Sequence, residues 1–227
     1  MDDVKRRIKL EPKQKEKLLV AGKGRILEQE LEEIETDILP SIYRLMEMCG
    51  GDPSGNGQKD TPYRVAKAWM EMSEGYTEDP REHLNTSFDL DDGDKEIEKD
   101  EDDLVIVENI TIKSVCEHHI LPFIGTVDIG YIPKTKVLGL SKFARLVRGY
   151  ASRFQIQEKL GAQIAKAIME EADAKGVIVK INAVHTCMIA RGVREKNSNT
   201  VTVAVRGVFK EDKMLEQKFL TATGGNR

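Results

Sequence analysis

At Leu104 the apolar residues of this chain change step, and that change limits the folds open to it. Before it they recur at three- and four-residue intervals. Leu27, Leu31, Ile34, Ile38, Ile42 and Leu45 fall on one face of a long helix from Ile26, with a kink or break expected at Pro40. "GGDPSGNGQ" (50–58) is a loop by composition. A second helix opens at "DTPYRVAKAW". Asp60 or Thr61 can cap it, Pro62 suits its first turn, and Val65, Trp69 and Met72 make its buried side. After Leu104 the period is two. "LVIVENITIK" (104–113) and "IGTVDIGYIP" (124–133) read as strands, as do "GVIVKINAVH" (176–185) and "NTVTVAVRGVF" (199–209), where Val201, Val203, Val205 and Phe209 share a face. Between the two pairs lie two helices, one marked by Phe143, Leu146, Val147 and Tyr150, the other by Leu160, Ile164 and Ile168. Helices first, then strand pair, helix pair and strand pair predict an α+β fold with antiparallel hairpins, not a parallel doubly wound sheet.

The flanks are polar. The first two dozen residues are dense in Lys, Arg and Glu and show no clear apolar stripe, which predicts a mobile or loosely helical arm. Asp89–Asp103 is strongly acidic and reads as a solvated loop. No run is long enough to span a bilayer, and the N-terminus lacks the apolar core and cleavage site of a signal peptide, so a cytoplasmic protein without membrane contact is expected. A net charge of −4 argues against nucleic-acid binding as the main role. The 3 cysteines, Cys49, Cys116 and Cys187, are too sparse for a disulfide framework and point to a reducing compartment with metal or catalytic use.

"SVCEHHILPF" (114–123) concentrates that scarce chemistry, placing one Cys and two of the chain's 4 His in four residues. Cys116 and His119 have a C-x-x-H spacing that lets thiolate and imidazole converge on one ion from a tight turn. Cys187, at a strand end in "AVHTCMIARGV", is the obvious third ligand, and Cys49 the weaker one. Two sulfurs and one imidazole would leave a zinc position open for water. His118 and His185 remain over. A spare histidine is commonly a core residue, but two beside one metal are better explained as proton carriers. Lys142 and Arg145 share a helix face and Arg191 follows Cys187 by four residues; a solvated basic face would explain the first two alone. Glu158 in "FQIQEK" could accept two hydrogen bonds from a guanine edge, although on spacing alone an exposed glutamate is the stronger reading.

Together "CEHHILPFIG", "GYIP", "GLSKFARLV", "QIQEKL", "HTCMIARGV" and "NSNTVTVAVRGVF", with "DTPYRVAKAW" upstream, resemble the GTP cyclohydrolase I family, in the family's order. The resemblance covers roughly residues 36–220. It implies an N-terminal charged arm (1–35), a helical part (36–88), the acidic loop (89–103), a core (104–220) and a tail (221–227). The fold implied is the tunnelling fold, an antiparallel sheet with paired helices that assembles into ring-shaped homo-oligomers, typically decamers of two pentamers with active sites at subunit interfaces. The activity implied is conversion of GTP and water to 7,8-dihydroneopterin triphosphate and formate, the entry to folate and tetrahydrobiopterin. By the same resemblance Cys116, His119 and Cys187 would hold Zn2+, and His118 and His185 would move protons. Gln157 and Glu158 would hold guanine, and Ser141, Lys142, Arg145 and Arg191 would face ribose and triphosphate. Arg64 and Lys67 would reach a neighbouring subunit's pocket. Asp128 departs from the histidine of many members, at a strand position outside these motifs.

Overall fold

The step change at Leu104 falls inside the second of two units. The computed structural model divides between Thr77 and Glu78 and describes residues 8–23, 26–89 and 103–224. The first unit is helical: α1 (Pro12–Gly22), α2 (Leu31–Glu33), α3 (Leu39–Met48) and α4 (Thr61–Met72). Its core gathers Leu10, Leu18, Leu31, Ile34, Leu39 and Ala66. The expected break at Pro40 is instead a π-helical turn, Ile34–Ile38, that runs directly into α3. A proline cannot donate to the carbonyl one turn back, and its ring crowds that carbonyl. The wider turn accommodates both constraints without stopping the helix.

Two expectations for this unit need correction. The arm is not loosely helical over its described residues: Leu18 is fully buried, and Glu35, also buried, accepts from the Leu10 amide at 2.9 Å and pairs with Lys15 at 2.9 Å. Leu10, Leu18 and Ala21 form an apolar stripe too sparse to stand out among the lysines and glutamates. The buried side of α4 is Pro62 and Ala66, flanked by Tyr63 and Met70, whereas Val65, Trp69 and Met72 are half-buried. α1 packs on α4, and small Ala66 permits a closer helix approach than Val65 or Trp69 would. Asp60 precedes α4 but makes no side-chain cap.

The second unit carries β1 (Ser87–Asp89), β2 (Val105–Cys116), β3 (Leu121–Ile132), β4 (Lys136–Leu138), α5 (Leu140–Ala151), β5 (Phe154–Gln155), α6 (Gln157–Glu171), β6 (Gly176–His185), α7 (Thr186–Ile189), β7 (Thr200–Gly207) and α8 (Lys213–Ala222). It is α+β, as the period change predicts. The main sheet runs β5-β2-β3-β6-β7. Its long strands pair antiparallel, and only two-residue β5 joins β2 in parallel. Alternation sends Val127 and Ile129 of β3 and Val177, Val179 and Ile181 of β6 to one face, where Phe143 and Leu146 of α5 and Leu160 and Ile164 of α6 cover them. On the other face α8 lays Leu215 and Phe219 over Ile132, Ile178 and Phe209. Val201, Val203 and Val205 do share that second face, but Val201 and Val203 lie beyond the α8 cluster and remain 55% and 44% exposed. The expected acidic loop, apart from Asp89 and Asp103, lies outside the described residues.

Asp128 has a structural role. It is 3% exposed, stands opposite Lys180 in the β3–β6 register, and meets its ammonium at 3.1 Å. Its other oxygen accepts from the Asn109 amide at 2.9 Å, where β2 bulges and Asn109 takes φ 57. The same ammonium donates to the Thr223 carbonyl at 2.8 Å and hydroxyl at 3.0 Å, holding the end of α8. Lys180→Met keeps the apolar stem and strands the carboxylate. Removing one partner of a buried pair costs about 3–5 kcal/mol, so the chemical-denaturation midpoint should drop clearly. An unchanged midpoint would mean that the pair contributes nothing to stability.

Candidate functional site

The strand order brings the scarce side chains together. β2 ends at Cys116, which lies opposite Leu121 at the start of β3, so residues 117–120 form the connecting turn. The Ile120 amide closes it on the Cys116 carbonyl at 2.9 Å, with Ile120 in the left-handed region at φ 52. That turn sets His119 Nδ1 3.7 Å from Cys116 Sγ. β3 pairs next with β6, placing Phe123 opposite His185, the last residue of β6. The chain then enters the single turn of α7, whose Thr186 hydroxyl donates to the Pro122 carbonyl at 2.6 Å. Cys187 on that turn therefore faces the Cys116–His119 turn. The donor atoms of Cys116, His119 and Cys187 all lie within 4.8 Å of one another. Cys49 is exposed and belongs to the first unit.

The donor set fits a metal ion. Burial pushes the Cys187 thiol up, the neighbouring Cys116 adds to that, and Arg191 opposes both. Two adjacent thiols resist ionising together, and a divalent cation between them reverses that preference.

A cavity of ≈ 240 Å³ opens beside the three donors. His118, exposed, and His185, part-buried, both line it. The His185 ring stacks on Phe123 at 4.6 Å and 11°. Burial lowers its pKa, and the Glu158 carboxylate works in the opposite direction. Glu158 lines the cavity from the first turn of α6, an exposed carboxylate at the end of the helix that favours negative charge. Gln157 lines it too, but is buried with its amide fully engaged: nitrogen to the Ile181 carbonyl at 3.2 Å, the Thr200 carbonyl at 2.9 Å and the Thr202 hydroxyl at 3.2 Å, oxygen to His185 Nε2 at 2.8 Å.

The remaining expected site residues are not among those lining the cavity. Ser141, Lys142 and Arg145 sit on α5 and do not line the cavity. Arg191 is exposed, four residues past Cys187 and close enough to act on its thiol. Arg64 and Lys67 belong to the first unit, where they pair along α4 with Asp60 and Glu71. Sequence reasoning missed the lining residues Gln155, Ile156, Met188 and Thr200 and the supporting Phe123. Phe123 is the platform under His185, and its only signal is its place opposite that residue. Gln155 is 2% exposed and lines the cavity; its nitrogen donates to Tyr150 O and Gln163 Oε1, while its oxygen has no hydrogen-bond partner among the described residues. Its one signal is alternation with Gln157 across Ile156.

The profile of a family described as GTP cyclohydrolase I matches residues 38–224. The chain is 47% identical over 180 residues to a GTP cyclohydrolase 1 of Wolinella succinogenes, across 79% of this chain and 92% of that protein. It is 44% identical over 173 residues to a GTP cyclohydrolase 1 of Bacillus subtilis, across 76% and 86% of the two chains. A GTP cyclohydrolase 1 of Rattus norvegicus is 43% identical over 199 residues, 87% of this chain and 79% of that one.

Proposed function

The chain belongs to the GTP cyclohydrolase I family, and from that premise we propose that it converts GTP and water to 7,8-dihydroneopterin triphosphate and formate with the aid of zinc. One observation carries the reading: the Cys116, His119 and Cys187 donors converge at the mouth of a cavity lined by His185 and Glu158. Three donors of this type suit a catalytic zinc, which supplies Lewis acidity and a water ionisable near neutral pH. His185 lines the same cavity and, once protonated, would deliver a proton to N7 of the purine as C8 is attacked. Glu158 accepts from N1–H and the 2-amino group, a pair of donors that adenine lacks. His118, exposed on the same rim, moves protons in the later ring-opening and ring-closing steps. Arg191, Lys142, Arg145 and Ser141 meet the ribose and triphosphate.

The catalytic domain spans residues 36–220, with an arm before it and a short tail after. The functional unit is a ring, a decamer of two pentamers. β7 is an edge strand with exposed Val201 and Val203, the kind of edge a second copy covers. Arg64 and Lys67 complete a neighbour's pocket. The compartment is the cytoplasm, which suits three free thiols. Among the described residues no helix is long and apolar enough to cross a membrane.

Incubating the zinc-loaded protein with GTP should release one formate per pterin formed, and ATP should yield neither. Formate release from ATP at a comparable rate would remove Glu158 from base recognition. Failure to release formate from GTP would refute the proposed reaction.

A further inference from the structure

We propose that Gln157 is a positioning residue for His185 and not a reader of the base: it fixes the imidazole as the Nε2–H form and leaves Nδ1 as the nitrogen that exchanges protons with substrate. The proposal rests on the proposed reaction and deepens it.

The hydrogen bonds decide which way the amide faces. Its nitrogen lies among two backbone carbonyls and a hydroxyl, at 2.9–3.2 Å. Carbonyls only accept, so the NH₂ must point toward them, and the oxygen is left toward His185 Nε2 at 2.8 Å. An amide oxygen has no proton to give. The hydrogen in that contact therefore belongs to Nε2. In the neutral ring the second nitrogen must then be bare, and Nδ1 has no hydrogen-bond partner among the described residues. The contact leaves Nδ1 as the one ring nitrogen outside the anchor.

The anchor is stiff. Gln157 is 2% exposed and opens α6, while its carbonyl partners belong to β6 and β7, so one side chain ties a helix to two strands and then to the ring. Phe123 fixes the ring plane from one side. Both amide hydrogens are committed, which leaves Gln157 no donor for guanine. Positioned proton transfer is worth about 10²–10⁴-fold in rate, and an imidazole free to flip would forfeit much of it.

The test is ¹⁵N solid-state NMR on the full-length, zinc-loaded protein labelled at histidine, at mildly alkaline pH, with His185 assigned by its loss in His185→Ala. A proton-bearing Nε2 and a bare Nδ1 are expected. Gln157→Met keeps the volume and removes the acceptor. It should give mixed tautomers at His185 and lower kcat by at least about tenfold, with the KM for GTP within about threefold. A bare Nε2 with protonated Nδ1 in the unsubstituted protein would overturn the proposal, whether or not Gln157→Met folds. So would an unchanged His185 spectrum in Gln157→Met accompanied by a raised KM, the result expected of a base reader. The tautomer is read without turnover: an Nε2–H ring in a protein inactive on GTP would sink the proposed reaction and uphold the clamp.

Discussion

Replacing Cys187 by serine should abolish formate release and strip the protein of zinc. The site offers three protein donors, and the substitution removes one of its two sulfurs. Serine cannot stand in for it, because an alcohol is far harder to ionise than a thiol. Without the ion, water returns toward its bulk pKa, about nine units above the value a catalytic zinc can impose. Turnover should therefore fall by more than about 10³-fold, and metal analysis should find a fraction of an ion per chain. Stability should fall as well, because an ion held by the folded chain adds its binding free energy to folding. In the intact protein the thiols must lose protons to bind, so zinc affinity should rise with pH. Full activity in a metal-free Cys187→Ser protein would end the zinc assignment.

The second large effect concerns assembly. Arg64→Glu with Lys67→Glu should lower activity by at least about 10²-fold, consistent with charge clamps on a phosphate-bearing substrate, while zinc content stays unchanged. Among the described residues both make i,i+4 pairs along α4, Arg64 with Asp60 at 3.6 Å and Lys67 with Glu71. Exposed pairs of that kind are worth about 0–1 kcal/mol, so these cations are readily redeployed toward a triphosphate and their reversal should not unfold the helix. High salt should soften the loss by screening the introduced carboxylates. Mixing this variant with His185→Ala distinguishes a shared pocket from a private one. In rings co-assembled from equal parts, about a quarter of the pockets combine an intact His185 from one chain with intact Arg64 and Lys67 from its neighbour, and activity should return to that extent. Absence of any rescue in rings shown to be mixed would assign both residues to their own chain or to no pocket.

What could be read from the sequence followed the range of each interaction. β6 is Gly176–His185, the same ten residues that period two marks out, because alternation is local and both faces are filled. Cys116, His119 and Cys187 were legible because scarce residue types at strand ends converge wherever those strands pair. The π-turn before Pro40 was not, since proline signals an obstruction and not how the backbone avoids it. Leu18 was hidden by composition, as one buried leucine among lysines leaves little periodic signal. Gln157 was the hardest. Its hydrogen bonds depend on carbonyls 24 and 43 positions away, beyond the reach of any local pattern.

The junction of Asp128, Lys180 and Thr223 makes the two ends of the second unit's final helix unequal for anyone reshaping the protein. Asp212 opens α8 by accepting from Met214 and Leu215, as an ordinary helix start does. Its last turn instead supplies two oxygens to an ammonium in the middle of the sheet. A tag appended after Arg227 leaves both Thr223 oxygens on the ammonium. Trimming back through Thr223 would leave Lys180 with one carboxylate and two empty hydrogen-bond directions in a nearly dry setting. Lengthening there is cheap, and shortening by even a few residues reaches the interior.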